Sequence, residues 1–496
     1  MTKTLEDIYE AIGGFGRFQF LVVCTILLPE WPAAMIDLQP VFTGSHPTKW
    51  VCTNEFGSFD VTNDSVAMCT CNGTLDGGNE SIVSEWGLIC GYAWVTDFIT
   101  SIQMVGMVAG DIVGTYLADK VGRKQPLYIS CLCLMLGSIA SSVATSPITY
   151  ACARFIVGAG VSSLLILTTV YPMEFLTPKW RTMCGAMGPW GEGLMTLSLL
   201  AYYFRPWREL CLVTAAPMMF CIVTFAFVPE SPRWLLMSGK AEEVKEVLGT
   251  IAGVNNCDPV KGSIVDNLTE SLGDSEDRGS KALSIGQFCR NGKFLRMSII
   301  FMGCWFAVNI INYGISFNMK NLSGDPYWNV FCIGLGDAIS FRSTVFVSKW
   351  FGRRKSFSIY MGFAAVIMLS IVCSYEGLFN WNESHVNVLT YLGKALVTGA
   401  IAILDCFTSE SFPTVARSTG VGFANICGTI ACIIAPQMAL IGSVSQVGPF
   451  IIFAGFAAMS TVSILLLTET NNMILEEYFE ETCCSKELSA TQNLIE

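Results

Sequence analysis

Apolar residues run through this chain in long blocks separated by shorter polar stretches. The blocks have the length of a bilayer crossing, about 20 residues of helix. Twelve windows stand out, at 18–37, 94–116, 126–145, 149–171, 185–204, 210–228, 297–318, 327–348, 356–375, 388–408, 418–440 and 447–468. The pattern predicts an all-α membrane protein of twelve transmembrane helices. Residues 1–228 hold six spans and the long polar loop 38–93. Residues 229–296 form a linker, 297–468 the second six spans, and 469–496 a polar tail. Within the linker, Val244, Val247, Leu248 and Ile251 fall on one helical face, which predicts a surface-lying helix over Ala241–Ile251.

The polar gaps carry an internal echo. Gly114-Thr-Tyr-Leu-Ala-Asp119-Lys-Val-Gly122-Arg123-Lys124 lies between the second and third blocks, and Lys349-Trp-Phe-Gly352-Arg353-Arg354-Lys355 between the eighth and ninth. Glu174 precedes Arg181 by the same spacing as Glu410 precedes Arg417. These repeats predict two homologous halves. In each short basic turn a glycine permits the sharp reversal.

Composition agrees with a membrane protein: 52% of the 496 residues are hydrophobic and 14% charged, with a mean hydropathy of +0.51. The net charge of −11 says little about partners, because charge is partitioned by side. Of 29 Lys and Arg, the predicted topology puts 22 on the side of the termini. Lys49, Arg205, Arg208 and Lys320 fall on the other side, and Arg154, Arg342 and Lys394 within spans. By the positive-inside rule the termini are cytoplasmic. The first residues show no cleavable signal peptide. Asn63, Asn72, Asn79, Asn321 and Asn382 begin glycosylation triplets in predicted exterior loops. Cys52, Cys69, Cys71 and Cys90 cluster in the loop after the first span, where two disulfides are expected in any of three connectivities.

The Asp119 turn resembles the loop between helices 2 and 3 of major facilitator superfamily transporters. Pro229-Glu230-Ser-Pro-Arg233-Trp-Leu235 resembles a motif shared by sugar porters and organic ion carriers. Gly13-Gly-Phe-Gly-Arg-Phe-Gln19, Glu85-Trp-Gly-Leu-Ile-Cys90, Ala201-Tyr-Tyr-Phe-Arg-Pro-Trp-Arg208, Gly324-Asp-Pro-Tyr-Trp-Asn329 and Ser409-Glu-Ser-Phe-Pro-Thr-Val-Ala-Arg417 resemble solute carrier family 22, the organic cation, anion and zwitterion transporters. The resemblance implies the major facilitator fold and a secondary-active or facilitative carrier of small organic ions at the plasma membrane. The sequence departs from the pattern in three places. Lys349 stands where the first turn has Asp119. Thr429 replaces the acid usual in the family's cation carriers and the arginine usual in its anion carriers, and Ser162 replaces a lysine found in several cation carriers.

Charges inside spans cost roughly 2.5–3.5 kcal/mol each on insertion scales, so they pair or line a wet cavity. Those singled out are Asp37, Asp97, Asp111, Glu192, Asp337 and Asp405 with Arg154, Arg342 and Lys394. Asp337 and Lys394 match charged positions of the resembled family and head the substrate-binding candidates. Asp337 is the expected attractor of a cation, with Lys394 either neutralising it or holding a zwitterion's carboxylate. Arg342, Trp190, Tyr202, Trp305, Tyr313, Phe423 and Thr429 complete the set, the aromatics as faces for a cationic or hydrophobic ligand. Arg154, beside Gly158 and Gly160, and Asp111 are expected near structural or gating contacts. The two histidines, His46 and His385, both fall outside the spans, which excludes an intramembrane histidine relay; a carboxylate-borne coupling proton stays open. No cofactor, metal site or nucleic-acid partner is expected, and the partners are a small organic ion and the bilayer. A membrane enzyme finds no support in nucleophile–base or metal-ligand spacing. A sugar facilitator is disfavoured by Ala402-Ile-Leu-Asp-Cys-Phe407 in the tenth span. An anion carrier and a non-transporting receptor on the same fold are the remaining alternatives.

Overall fold

The structure is a computed structural model and describes residues 5–47, 49–54, 57–62, 68–71, 74–78, 80–177, 180, 187–258, 262, 264–266, 290, 292–379, 381–412 and 414–469. Among them the long helices fall into twelve spans in the order the apolar blocks predict. The first is Arg17–Leu27 continued by Glu30–Asp37. The next five are Trp94–Val121, Lys124–Ser142, Pro147–Met173, Trp190–Tyr203 and Trp207–Val223. The second six are Gly292–Asn318, Pro326–Phe351, Arg353–Tyr375, Glu383–Ser411, Thr414–Ile434 continued by Pro436–Val444, and Gly448–Ile464. The first and eleventh spans break at Pro29 and Pro436, whose missing N–H interrupts the helical ladder.

Within the first half the second and fourth spans are pressed together by small residues. A Cβ on Gly106, Gly110 or Gly114 would come within 2.2, 2.1 and 2.2 Å of Phe155 O, Ala159 O and Ser163 Oγ. Across the seam, one on Gly158 would meet Gln103 O at 1.9 Å. Glycine at every fourth position lets the two backbones touch, which is how helices associate where no water drives them together. Gly114 therefore belongs to this seam rather than to the turn that follows.

The linker is held to the first half along its described residues 229–258. Its helix, Ala241–Asn255, buries Val244, Leu248, Ile251 and Ala252, and Asn255 caps the first span: its Oδ1 accepts the Phe18 N–H at 3.0 Å and its Nδ2 donates to Ile12 O at 2.9 Å. Arg233 pairs with Glu6 of the short helix Leu5–Ala11 at 2.6 Å. Residues 229–258 thus pack on the first half.

On the opposite side the loop after the first span folds into a three-stranded antiparallel sheet of order β2-β1-β3, from β1 (Val51–Asn54), β2 (Gly57–Asp60) and β3 (Thr74–Asp76). Disulfides Cys52–Cys71 and Cys69–Cys90 resolve the open connectivity. Glu85 anchors this loop, accepting from Arg208 Nη2 at 2.5 Å and from Trp207 Nε1 at 2.9 Å. Two of the motifs read from the sequence, around Glu85 and around Arg208, are therefore the two sides of one contact. Of the glycosylation candidates, Asn382 is exposed at the start of the tenth span. Asn321 is a correction: its amide Nδ2 donates to Asn318 Oδ1 at 2.9 Å and Ala439 O at 2.7 Å, so the nitrogen a glycan needs is engaged in the fold. Asn63, Asn72 and Asn79 lie outside the described residues.

Candidate functional site

Between the halves lies a cavity of about 550 Å³. Its wall reaches from the middle of the spans to Met173, Ser348, Arg353 and Asp405 at the linker side. At the disulfide side the halves are joined. Lys320 Nζ pairs with Asp97 at 2.6 Å, and the rings of Phe42 and Tyr327 stack at 5.4 Å. Gln437 Nε2 and Ser101 Oγ meet at 3.1 Å. Asp97, one of the span acids, thus pairs with a lysine of the predicted exterior loop.

Of the candidates, Asp337, Lys394, Trp190, Trp305, Tyr313 and Thr429 line the cavity. Asp337 and Lys394 are 2% exposed each and form one saturated unit. Lys394 Nζ donates to Asp337 Oδ2 at 2.7 Å, and Thr398 Oγ1 donates to Oδ1 at 2.6 Å. Asp337 is therefore not a bare negative charge. Three other candidates lie elsewhere. Arg342 reaches across to pair with Glu192 of the first half. Tyr202 stands at the disulfide-side end with its ring edge on Tyr327, and Phe423 packs against the apolar core. Arg342 and Phe423 miss the cavity by the way they point around their helices, and Tyr202 by its height along its own.

Arg154 is fully buried and joins three spans. Its guanidinium donates to Gln103 Oε1 at 2.9 Å, Gln39 Oε1 at 3.0 Å and the carbonyls of Ile36 and Asp37 at 2.9 and 3.2 Å. Gln103 Nε2 in turn donates to Asp37 Oδ1 at 2.7 Å. All three guanidinium nitrogens are engaged, so Arg154 holds the first half together, and it is not among the residues lining the cavity.

The two short turns at the linker side are built alike. Gly122 (φ 114°) and Gly352 (φ 80°) take backbone conformations that suit glycine. Glu230 Oε1 accepts the N–H of Arg123 at 2.8 Å and of Lys124 at 3.2 Å; Glu469 does the same for Arg353 at 2.8 Å and, through Oε2, for Arg354 at 3.2 Å. A carboxylate at each helix start meets both open N–H groups and the positive end of the helix dipole. Arg123 pairs with Glu174 at 3.1 Å, and Arg353 with Glu410 at 3.2 Å. The sequence missed Glu469, although Thr-Glu-Thr after the twelfth span echoes Pro-Glu-Ser after the sixth. Asp119, largely exposed, pairs with Arg123 of its own turn at 2.8 Å. At the second turn, where Lys349 replaces it, Arg353 turns to the Ser348 hydroxyl instead. Arg181 and the side chain of Arg417 lie outside the described residues.

The sequence also missed Glu30, a cavity-lining acid inside the first apolar block that is 9% exposed. Glu30 shares its window with Asp37, and two acids among so many apolar residues leave the window's hydropathy high. Asp111, expected near the turn, lines the cavity as well. Eight residues of helix separate it from Asp119, a rise of about 12 Å.

The family model described as sugar (and other) transporter matches residues 57–481. Solute carrier family 22 member 7 of Rattus norvegicus is 26% identical, over 96% of this chain and 97% of its own length. The organic cation transporter protein of Drosophila melanogaster is 25% identical over 96% and 94%, and the beta-alanine transporter of the same organism 28% identical over 81% and 66%. Among solved structures, the proton:xylose symporter XylE superimposes with a TM-score of 0.65 at 16% identity, covering 92% of this chain and 98% of that one. Its inward-open form, from E. coli, gives 0.64 over 92% and 98%.

Proposed function

We propose, for a chain that belongs to the sugar (and other) transporter family, that it carries small organic cations or zwitterions by alternating access through the cavity between its halves. The chain is a multi-pass transmembrane transporter, as its solute carrier family 22 relatives are. The observation that carries the charge assignment is the balance in the cavity. Glu30, Asp111, Asp337 and Asp405 line it against Lys394 and, at the mouth, Arg353. Arg353 is already matched by Glu410 and Lys394 by Asp337. The surplus is acidic, and in a low-dielectric cleft it draws cations. Trp190, Trp305 and Tyr313 add ring faces that suit an ammonium or guanidinium group. Two relatives, named an organic cation transporter protein and a beta-alanine transporter, fit a cation and a zwitterion.

In this reading the termini, linker and both basic turns face the cytoplasm of a plasma-membrane carrier, following the 22-to-4 sorting of basic residues. The cavity is then open inward and closed outward. Uptake of labelled tetraethylammonium, β-alanine, benzoate and glucose, compared between expressing and control cells, tests the substrate class. Several-fold accumulation of the cation or the zwitterion is expected; accumulation confined to benzoate or glucose would refute the assignment.

The outward closure gives a separate prediction. Lys320→Ala removes the cation that ties Asp97 of the first half to the second, and the outward-open population should rise. Cys432 lines the cavity and is 5% exposed. A membrane-impermeant thiol reagent applied outside should label the Cys432 peptide several-fold faster in Lys320→Ala than in the unmodified carrier. Equal rates, read by mass spectrometry, would show that the pair does not hold the closure.

A further inference from the structure

The cavity's acids are not equivalent in what they have left to offer. Both oxygens of Asp337 are occupied, one by the Lys394 ammonium and one by the Thr398 hydroxyl. Glu30 is packed against the backbone at Gly188, where even a methyl group would collide with Oε2 at 2.3 Å. Asp405 lies in the tenth span's last two turns, toward the cavity mouth. Asp111 is set apart by partners from both halves. Its Oδ1 accepts the hydroxyl of Ser162. Its Oδ2 faces Thr429 Oγ1 at 3.5 Å, a weak approach, because that hydroxyl donates to Asn425 O at 2.9 Å. Among the described residues no lysine or arginine pairs with Asp111. A half-buried carboxylate in the cavity wall therefore keeps one oxygen open and its charge uncompensated.

We infer that Asp111, and not Asp337, is the carboxylate that binds the cationic centre of the substrate. The inference rests on the cation or zwitterion reading and names the residue that gives the site its charge selectivity. An uncompensated carboxylate in a cleft of low dielectric is costly, and an arriving cation removes that cost, so electrostatics concentrates affinity there. The Ser162 hydroxyl supports the charged form and fixes the carboxylate's direction. Position adds a mechanical consequence. Asp111 belongs to the second span and Thr429 to the eleventh, one from each half, so a cation at Oδ2 touches both bodies that move in alternating access. Tyr313 and Trp305, also of the second half, supply ring faces on the same cavity. The Asp337–Lys394 pair then serves as a neutral polar wall, in which Lys394 is the cation that a zwitterion's carboxylate would meet.

The test is equilibrium binding of labelled tetraethylammonium and β-alanine to purified protein. Asp111→Asn keeps the shape and the Ser162 contact and removes the charge. Its Kd for tetraethylammonium should rise at least tenfold while its melting temperature stays near that of the unmodified carrier. Adding Thr429→Asp returns a carboxylate to the same spot from the other half, and should recover most of the lost affinity. Unchanged affinity in folded Asp111→Asn, or no recovery in the double variant, overturns the inference and leaves the cation reading standing. If the unmodified carrier binds neither probe, the reading itself has failed and the inference falls with it. Should Asp111→Asn not fold, Asp111→Glu moves the charge by one methylene. The affinity ratio of tetramethylammonium to tetraethylammonium should then shift severalfold, and an unchanged ratio overturns the proposal.

Discussion

Arg154→Leu is expected to leave almost no folded carrier in the membrane. The guanidinium is fully buried and is bound by Gln103, Gln39 and the carbonyls at the end of the first span. Removing it strands the Asp37 carboxylate, also 0% exposed, and breaks the join between the first, second and fourth spans. Removing one partner of a buried charge network costs about 3–5 kcal/mol, which is a large share of the stability of a typical domain. Arg154→Lys should fare little better, since an ammonium cannot reproduce a planar fork with donors on several sides. Surface biotinylation and the melting temperature of detergent-solubilised protein check this. Normal surface abundance of Arg154→Leu would mean that the network contributes nothing to folding.

The second large effect concerns Asp337 and Lys394. Asp337→Asn leaves a buried ammonium without its counter-charge, and Lys394→Ala leaves a buried carboxylate. Each single change should lower the folded amount by the same class of penalty, about 3–5 kcal/mol, and abolish uptake. Asp337→Asn combined with Lys394→Met removes both charges together and should restore folded protein in large part. This double-variant cycle separates a structural pair from a pair of independent binding groups. If the double variant is as unstable as the sum of the singles, the two side chains are not coupled as their 2.7 Å contact requires.

Much of this architecture could be read from the chain because a bilayer demands long apolar windows. The twelve windows matched twelve spans, with differences at the ends. The tenth span begins at Glu383 rather than 388, since polar His385 and Asn387 continue the helix into the disulfide side. The fifth begins at Trp190 rather than 185, after Pro189. The turn residues were also legible, because Gly122 and Gly352, like Glu174 and Glu410, repeat between the halves, and Glu230 stands in a motif the chain shares with the resembled carriers. What hydropathy does not record is which way a side chain points around its helix. Arg342 and Phe423 lie on other faces of their spans than the cavity wall, Tyr202 lies at the end of its span, and Glu30 vanished inside an apolar block. Asp111, expected near structural or gating contacts, stands about 12 Å of helical rise from Asp119 and lines the cavity. The Thr429 departure left the expected charge label missing from the eleventh span, and only three-dimensional packing brings an acid of the second span beside it.

The central claim, a carrier of organic cations or zwitterions that exposes one cavity alternately to each side, is tested most directly by counterflow in proteoliposomes. Vesicles holding the purified protein are loaded with unlabelled tetraethylammonium or β-alanine and diluted into a trace of the same labelled compound. The account predicts a transient accumulation of label above its equilibrium level, driven by the outward gradient and absent from protein-free vesicles. Label that enters only to equilibrium, at a rate indifferent to what the vesicles contain, would contradict it.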